Sequence, residues 1–269
     1  MVVTPSREEA AQPSTGADVP DLARVTANFR QYLMGWGTQE RTRGDVDRYR
    51  SGLAQAQFNG VVRLRSLDVV EKSLAAARAR LAGVPWWWWV GPDSPAGTVS
   101  ALASLGLVSL GAVPLMTRSL DSLEETEEPP PGLRIEEVRD TDRLRELVRV
   151  YSASMGVPPA LEDGVVRVEA GRTDLADVVR LAAVLQGRVV GTTVVMMAHK
   201  VAGVFLVHVA REHRRRGIGG ALTAAALRAG RERGMRLAAL GASPMGEPLY
   251  RRFGFTTASE YHLFSGSSD

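Results

Sequence analysis

The fold of this chain is decided by the stretch Arg214-Arg215-Arg216-Gly217-Ile218-Gly219-Gly220-Ala221-Leu222. It joins an apolar, strand-like run to a segment whose apolar residues recur at helical spacing. A helix that begins here brings several unpaired backbone N–H groups and the positive end of its dipole to one point. Glycines let an anion approach that backbone closely, so the stretch predicts a phosphate-binding turn.

The composition excludes several classes of site. The 269 residues include no cysteine, which rules out disulfides, thiolate metal sites and a cysteine nucleophile. The four histidines are scattered along the chain, so we predict no metal site. The net charge of +3 is small and the basic residues are spread, so we expect no nucleic-acid partner.

The hydropathy pattern shows neither a membrane-spanning segment nor a secretory signal. No apolar run reaches the roughly 18 residues that a membrane-spanning helix needs, so we expect no membrane association. The N-terminus lacks the basic start and the apolar core of a secretory signal. These features together predict a cytoplasmic protein.

A composition break separates two halves of the chain. An acidic run meets three prolines within residues 121–132, and such a segment favours an extended, semi-rigid backbone. The alternative is a long surface loop inside one domain, although secondary-structure signals are complete on both sides. We therefore predict a flexible tail over residues 1–20, a first domain over 21–124, a linker over 125–132 and a second domain over 133–269.

The second half has a regular order of elements: a strand, one or two helices, three strands, a helix, a strand, a helix and a strand. The three middle strands predict an antiparallel meander with turns at Gly187-Arg188 and Lys200–Gly203. The predicted segments are strands at 133–138, 178–186, 189–198, 204–210, 237–242 and 255–264, and helices at 144–155, 161–172, 218–233 and near 248–253.

Two motifs within this order carry a resemblance. Arg214-Arg215-Arg216-Gly217-Ile218-Gly219 resembles the acyl-CoA signature of the GNAT superfamily of N-acyltransferases. Leu249-Tyr250-Arg251-Arg252-Phe253-Gly254-Phe255 resembles the family's second landmark, a tyrosine just ahead of an aromatic-Gly-Phe ending. The resemblance implies an α/β (α+β) fold with a mixed, mostly antiparallel sheet flanked by helices.

The first half contains an echo of the second. Ser94-Pro95-Ala96-Gly97 followed by residues 102–107 resembles Ser243-Pro244-Met245-Gly246 followed by residues 249–255, and each block lies between two strand candidates. We infer a degenerate copy of the same fold, which makes the protein a tandem of two GNAT-like domains. Chance similarity between two helix-ending patterns is the alternative. The copy lacks the glycine turn, so we expect only one coenzyme site.

The resemblance implies the roles of the glycine turn and of the strand before it. The turn binds the pyrophosphate of acetyl-CoA through backbone N–H groups, and its arginines add charge-assisted contacts. The strand pairs with the pantetheine arm, and an N–H near Val207 or Val209 polarises the thioester carbonyl. The implied coenzyme-binding residues are Val207, His208, Val209, Arg214, Arg215, Arg216, Gly217, Ile218, Gly219 and Gly220.

Tyr250 is the predicted catalytic residue. The family places a tyrosine on this helix so that its hydroxyl donates a proton to the departing coenzyme thiolate. The alternative is a packing residue, but Leu249 and Phe253 already form a buried stripe at helical spacing, and Tyr250 is offset from it.

The sequence leaves the general base open. Strand alternation places Gly203, Phe205, Val207 and Val209 on one face, where family bases tend to lie, and none of these residues takes a proton. His208 suits proton transfer, but the same alternation places it on the opposite face. His199, Glu162 and Glu169 are further candidates, and a water relay is the remaining one.

These inferences predict an N-acetyltransferase that moves an acetyl group from acetyl-CoA directly to a primary amine of a small molecule or peptide. The missing strand-borne base motivates an alternative, a non-catalytic acyl-CoA sensor or interaction protein. The sequence leaves open a monomer or a homodimer. Trp86–Trp89 are interpreted as core packing and as an interface between the halves, and an aromatic wall for a substrate is the alternative.

Overall fold

A computed structural model describes residues 19–121 and 129–266. Residues 1–18 of the predicted tail and residues 125–128 of the predicted linker lie outside the described residues. The first half contains helices α1 (Val19–Met34), α2 (Val70–Arg80) and α3 (Thr98–Ser104). Its strands are β1 (Glu40–Arg43), β2 (Val46–Arg50), β3 (Asn59–Leu64), β4 (Trp87–Val90) and β5 (Val108–Ser119).

The second half follows the predicted order of elements. Its helices are α4 (Thr141–Met155), α5 (Glu162–Ala170), α6 (Ile218–Glu232) and α7 (Glu247–Arg252). Its strands are β6 (Leu133–Glu137), β7 (Val178–Leu185), β8 (Arg188–Ala198), β9 (Val201–Val209), β10 (Leu237–Gly241) and β11 (Thr256–Ser265). None of the helices in the described parts of the chain is long and apolar enough to cross a membrane.

Local sequence explains where the helices of the second half begin and end. Asp140 accepts a hydrogen bond from the backbone N–H of Arg143 at 2.8 Å and so caps α4. Gly156, with φ of 71°, ends that helix in the left-handed conformation that glycine tolerates. Leu144, Leu147 and Tyr151 lie on its buried face, as their spacing predicts.

One predicted turn is wrong. Lys200–Gly203 was expected to be a loop, but β9 begins at Val201 and its first residues pair with both neighbouring strands. The reversal is made by His199 and Lys200 alone, both with positive φ (56° and 61°). Two residues in this conformation form the tight hairpin connection that matches the twist of the sheet.

All eleven strands of the described residues form one sheet, in the order β1-β2-β3-β4-β11-β5-β10-β9-β8-β7-β6. The unit β3-α2-β4-α3-β5 repeats as β9-α6-β10-α7-β11, because β3 and β9 each pair in parallel with the strand that follows the intervening helix. The chain therefore contains two units of the same topology, as the internal echo in the sequence predicted.

The two units exchange their last strands. β5 of the first half pairs with β10 of the second, and β11 of the second half pairs with β4 of the first. β5 and β11 also pair with each other along most of their length. The predicted domain boundaries in the sequence remain predictions, but neither half completes its sheet with its own final strand.

Helix α1 of the first half packs on the sheet of the second half. Asn28, only 1% exposed, donates from Nδ2 to the carbonyl oxygens of Met196, Ala198 and Val201 at 2.9 to 3.0 Å. Its Oδ1 lies 2.0 Å from the position that a Cβ on Gly203 would occupy. Asn28 thus fastens the β8–β9 hairpin, and Gly203 is required for its close approach.

We expect Asn28→Ala to lower the free energy of unfolding by about 3 kcal/mol, because it leaves buried carbonyl oxygens without a donor. Urea unfolding measures this change. Arg24→Ala, at an exposed position of the same helix, is the matched control and should change stability by no more than about 0.5 kcal/mol. Equal midpoints for the two variants would show that Asn28 does not fasten the hairpin.

Candidate functional site

Strands β9 and β10 separate partway along their length. Their parallel pairing covers Leu237 with Val201, Ala238 with Ala202 and Ala239 with Gly203, and it stops there. β9 continues to Val209, and β10 ends at Gly241. One backbone edge of β9 beyond Gly203 is therefore open to a ligand that pairs like a strand.

A β-bulge interrupts β9 within this open segment. Leu206 has φ of 50°, and two residues of β9 lie opposite Thr193 of β8, since Phe205 pairs with Val194 and His208 pairs with Thr192. Thr192 Oγ1 donates to the carbonyl oxygen of Leu206 at 2.8 Å and helps to hold the bulge. No glycine marks the position, so the sequence offered no signal for it.

The bulge reverses the strand alternation, and one predicted face is therefore wrong. We call the two faces of the second-half sheet the α4 face, covered by α1, α4 and α5, and the α6 face, covered by α6 and α7. Val207 and Val209 pack with the core of the α6 face, whereas Phe205 packs with the core of the α4 face. His208 contacts Ser154 of α4 and shares the face of Phe205, not the opposite one.

His208 lies at the end of the open segment. Its Nδ1 is 2.8 Å from Ser154 Oγ, and Arg214 Nη2 donates to the same hydroxyl oxygen at 3.3 Å. Burial, and secondarily the positive charge of Arg214, lower the pKa of His208 to about 4. The imidazole is consequently neutral at physiological pH and able to accept a proton.

The depressed pKa of His208 predicts a pH-dependent stability. Between pH 6.5 and about 4, the unfolded chain binds a proton at His208 that the folded chain does not bind. The free energy of unfolding is therefore highest above pH 6.5 and falls as the pH drops through this range. We expect wild type to lose more stability than His208→Gln between pH 7 and pH 5. Urea titrations at both pH values measure this difference, and parallel losses would contradict it.

The glycine turn follows directly. Arg215 and Gly217 both have positive φ (62° and 78°), and Gly217 stands before the first residue of α6. No side chain of the described residues caps this helix, so its first N–H groups are available to a ligand. Arg214, Arg215 and Arg216 are exposed, and Arg214 Nε also donates to the carbonyl oxygen of Val209 at 3.1 Å.

The start of α6 lies close to α7. A Cβ on Gly219 would be 3.4 Å from Leu249 Cδ2, and one on Gly220 would be 3.7 Å from the ring of Phe253. Ile218 is buried, as its helical spacing predicts. The small residues therefore let the turn, the open edge of β9 and α7 lie next to one another.

Tyr250 is the buried residue of α7. Its ring meets Phe255 edge-on, with 6.0 Å between centroids, while Leu249 and Phe253 are only half-buried. The sequence predicts Leu249 and Phe253 as the buried stripe of this helix, with Tyr250 outside it. That prediction is wrong, because Tyr250 is the buried residue and the other two are half-buried. Burial raises the pKa of Tyr250 to about 12, so its hydroxyl stays protonated.

The other predicted base candidates are not brought to the open segment. Glu169 is 1% exposed and forms a salt bridge with Arg180 at 2.6 Å. Glu162 faces Arg149 at 3.7 Å. His199 lies in the β8–β9 turn, at the opposite end of β9, where burial and the charge of Arg30 lower its pKa.

An aromatic cluster that the sequence analysis missed covers the α4 face beside the open segment. Tyr32 of α1 stacks on Phe205 with 3.7 Å between ring centroids, and Phe29 lies 5.7 Å from the same ring. Trp89 contacts Phe29 at 5.4 Å, while Trp88 is fully buried in the first-half core. Trp89 also meets Tyr261 of the second half, with 6.2 Å between ring centroids, so the tryptophans contribute both to the core and to the contact between the halves. Helical spacing in α1 was the available signal for Phe29 and Tyr32.

In the first half, the start of α2 corresponds to the glycine turn of α6, but polar side chains occupy it. Ser66 accepts a hydrogen bond from the backbone N–H of Asp68 at 3.2 Å, ahead of α2. Asp68 and Glu71 put negative charge at the start of this helical segment. Such an end disfavours phosphate, because Asp68 and Glu71 place negative charge in the first turns of the helical segment.

The corresponding strand separation in the first half is also filled. β3 and β4 pair at Gly60 and Val61, and beyond them Ser94 Oγ accepts from the N–H of Leu64 at 3.5 Å. Arg30 of α1 forms salt bridges there with Asp47 and Asp93. Among the described residues, the open strand edge beside an uncapped glycine turn therefore occurs in the second half.

Comparison with known proteins agrees with this geometry. Residues 178–257 match the family model of the acetyltransferase (GNAT) domain, a range that includes β9, the glycine turn and Tyr250. No curated protein sequence matches the chain significantly.

Solved structures show the same overall fold. A GCN5-related N-acetyltransferase from Kribbella flavida is 18% identical, with a TM-score of 0.70 over 92% of this chain and 96% of that chain. One from Sphaerobacter thermophilus is 19% identical, with a TM-score of 0.62 over 83% of this chain and 76% of that chain. A tandem GNAT protein from the clavulanic acid biosynthesis pathway is 17% identical, with a TM-score of 0.56 over 93% and 97%. At these identities the likeness establishes the fold.

Proposed function

We propose that this chain, which has the tandem GNAT fold and matches the acetyltransferase (GNAT) domain model over residues 178–257, transfers an acetyl group from acetyl-CoA directly to a primary amine. Acyl transfer follows from the family. The direct transfer, the amine acceptor and the residue roles are the proposal. The observation that carries it is the open edge of β9 immediately ahead of the uncapped glycine turn of α6.

The turn fits the pyrophosphate of the coenzyme. Gly217, Ile218, Gly219 and Gly220 supply backbone N–H groups at the positive end of α6, where a phosphate is stabilised by both hydrogen bonds and the helix dipole. Arg214, Arg215 and Arg216 surround this point with exposed positive charge.

The open segment of β9 fits the pantetheine arm and the thioester. Val207, His208 and Val209 offer backbone groups that β10 does not use, and these pair with the amides of the arm. An N–H near Val207 or Val209 then donates to the thioester oxygen, where negative charge develops as the amine attacks.

Tyr250 completes the proposed chemistry. The amine nitrogen bonds to the thioester carbon, the C–S bond breaks, and the sulfur leaves with the electron pair. The hydroxyl of Tyr250, protonated at neutral pH, gives its proton to that sulfur and regains one from solvent. The chain thereby supplies an oxyanion donor and a general acid from adjacent elements.

Calorimetry with acetyl-CoA and an assay of thiol release test this function. We expect binding in the micromolar range and release of free coenzyme with at least one member of a panel of small amines, aminoglycosides and peptides. Absence of coenzyme binding by the folded protein would overturn the proposal. Binding without thiol release from any amine would support the sensor alternative instead.

The aromatic cluster on the α4 face indicates which part of the chain could bind the amine acceptor. Phe29 and Tyr32 come from the first half and lie against Phe205 of β9. We propose that the first half forms one wall of the acceptor cleft, with its own coenzyme site closed by Ser66, Asp68 and Ser94.

A further inference from the structure

We propose that His208 is the general base that takes the proton from the attacking amine, and that Ser154 and Arg214 are the residues that position its imidazole. This inference rests on the proposed acetyl transfer and deepens it by naming the group that the sequence left open. It rests on the bulge in β9, on the hydrogen bonds of Ser154 with His208 and Arg214, and on the absence of the other candidate bases from the open segment.

The bulge places His208 correctly for this role. Because two residues of β9 lie opposite Thr193, His208 and Phe205 share the α4 face although they are three residues apart. Val207 and Val209, whose backbone is proposed to hold the thioester, point to the α6 face. Consecutive residues thus present the oxyanion donor and the imidazole to the same open segment, with the imidazole on the side where α1 and α4 bound the proposed acceptor cleft.

The hydrogen bonds explain how the ring is oriented. Ser154 Oγ lies 2.8 Å from Nδ1 of His208 and accepts from Arg214 Nη2 at 3.3 Å. When Nδ1 carries the hydrogen and donates it to Ser154, the lone pair of Nε2 is free to accept a proton. No described residue forms a hydrogen bond with Nε2 of His208, which leaves this atom available to the amine.

The electrostatic setting couples the imidazole to the coenzyme. Arg214 is the charged group of the described residues that acts on His208, and with burial it lowers the pKa of the imidazole to about 4. Arg214 also belongs to the turn that fits the pyrophosphate. A diphosphate bound there neutralises Arg214, so coenzyme binding raises the proton affinity of His208.

The proton and electron balance is complete. The acceptor attacks as its neutral amine, whose lone pair forms the N–C bond. Nε2 of His208 takes the N–H proton that becomes acidic as positive charge develops on the attacking nitrogen. The C–S electron pair leaves with sulfur, which Tyr250 protonates, and the imidazolium releases its proton to solvent while Tyr250 regains one.

Replacement of His208 tests the role directly. We expect His208→Gln to lower kcat for the best amine of the panel by about 100-fold or more, while its affinity for acetyl-CoA stays within about twofold of wild type. The acidic limb of the pH profile of kcat should disappear in this variant. His262→Gln, which removes a histidine that contacts Glu260 on β11, is the matched control and should keep full turnover.

Ser154 gives a second readout. Ser154→Ala should lower kcat with little change in KM, and Ser154→Thr, which keeps the hydroxyl, should restore most of the loss. An effect confined to KM would mean that Ser154 binds the acceptor and does not orient His208. That result would overturn the positioning role.

Nuclear magnetic resonance of the imidazole in the wild-type protein gives a measurement that needs no acceptor. Acetyl-CoA should raise the pKa of His208 by about one unit or more, and acetyl-pantetheine, which lacks the diphosphate, should raise it less. Equal effects of the two probes would overturn the coupling through Arg214.

The two proposals fail in different ways. If wild type binds acetyl-CoA but acetylates no amine, the proposed function falls and this inference falls with it. If wild type turns over and His208→Gln retains its rate, the function stands and His208 is not the base.

Discussion

Tyr250→Phe is expected to lower turnover by about 100-fold or more while leaving acetyl-CoA binding unchanged. The substitution removes one oxygen from a ring that is packed against Phe255, so the fold of α7 and β11 is kept. The departing thiolate then lacks its proton donor, and loss of a positioned general acid typically costs 10²- to 10⁴-fold. Thiol release under saturating acetyl-CoA and amine measures the effect.

The control for this variant is Tyr49→Phe. Tyr49 is fully buried on β2 of the first half. We expect full turnover from that protein. If Tyr250→Phe retained the wild-type rate, the hydroxyl would be a packing feature, and the thiolate would leave without a proton from this helix.

Gly219→Asp is expected to weaken acetyl-CoA binding by about 100-fold or more. The new carboxylate lies in the first turn of α6, where it competes with the pyrophosphate for the same N–H groups and repels its charge. An acidic residue in a first helical turn favours the helix itself, so we expect the variant to fold. Calorimetric titration with acetyl-CoA measures the loss.

Gly219→Ala separates charge from size. A Cβ at this position meets Leu249 Cδ2 at 3.4 Å, an ordinary contact, so we expect an affinity close to that of wild type. Equal affinities of Gly219→Asp and wild type would mean that the coenzyme does not use the start of α6.

Most elements of the second half could be predicted from periodicity alone. The β8–β9 turn could not, because His199 and Lys200 are not the Asn, Asp or Gly residues that favour positive φ in a two-residue hairpin turn. The same holds for the bulge, where Leu206 takes a conformation that costs a non-glycine residue energy and is stabilised by hydrogen bonds from Thr192 and Thr193. Such tertiary support is invisible in a local pattern.

The candidate site shows the same division. Glycine spacing identified the turn, and the motif around Tyr250 identified the helix beside it. Strict alternation correctly places His208 opposite Val207 and Val209, but it wrongly groups Phe205 with the valines, because one extra residue in β9 moves Phe205 to the face of His208. Helical spacing indicates that Phe29 and Tyr32 are buried, but their contact with Phe205, and that of Asn28 with Met196, join residues more than 160 positions apart and leave no local signal.

Because the halves exchange strands, the single chain resembles a dimer whose two subunits are always present in equal number. Each half relies on the other to supply a central strand, so the first half stays indispensable even though it has Ser66 and Asp68 where the second half has its glycine turn. In a homodimer of separate identical chains, a loss of the glycine turn would affect both subunits and remove both proposed coenzyme sites. Covalent fusion lets one copy degenerate chemically while it continues to be inherited as the scaffold of the other.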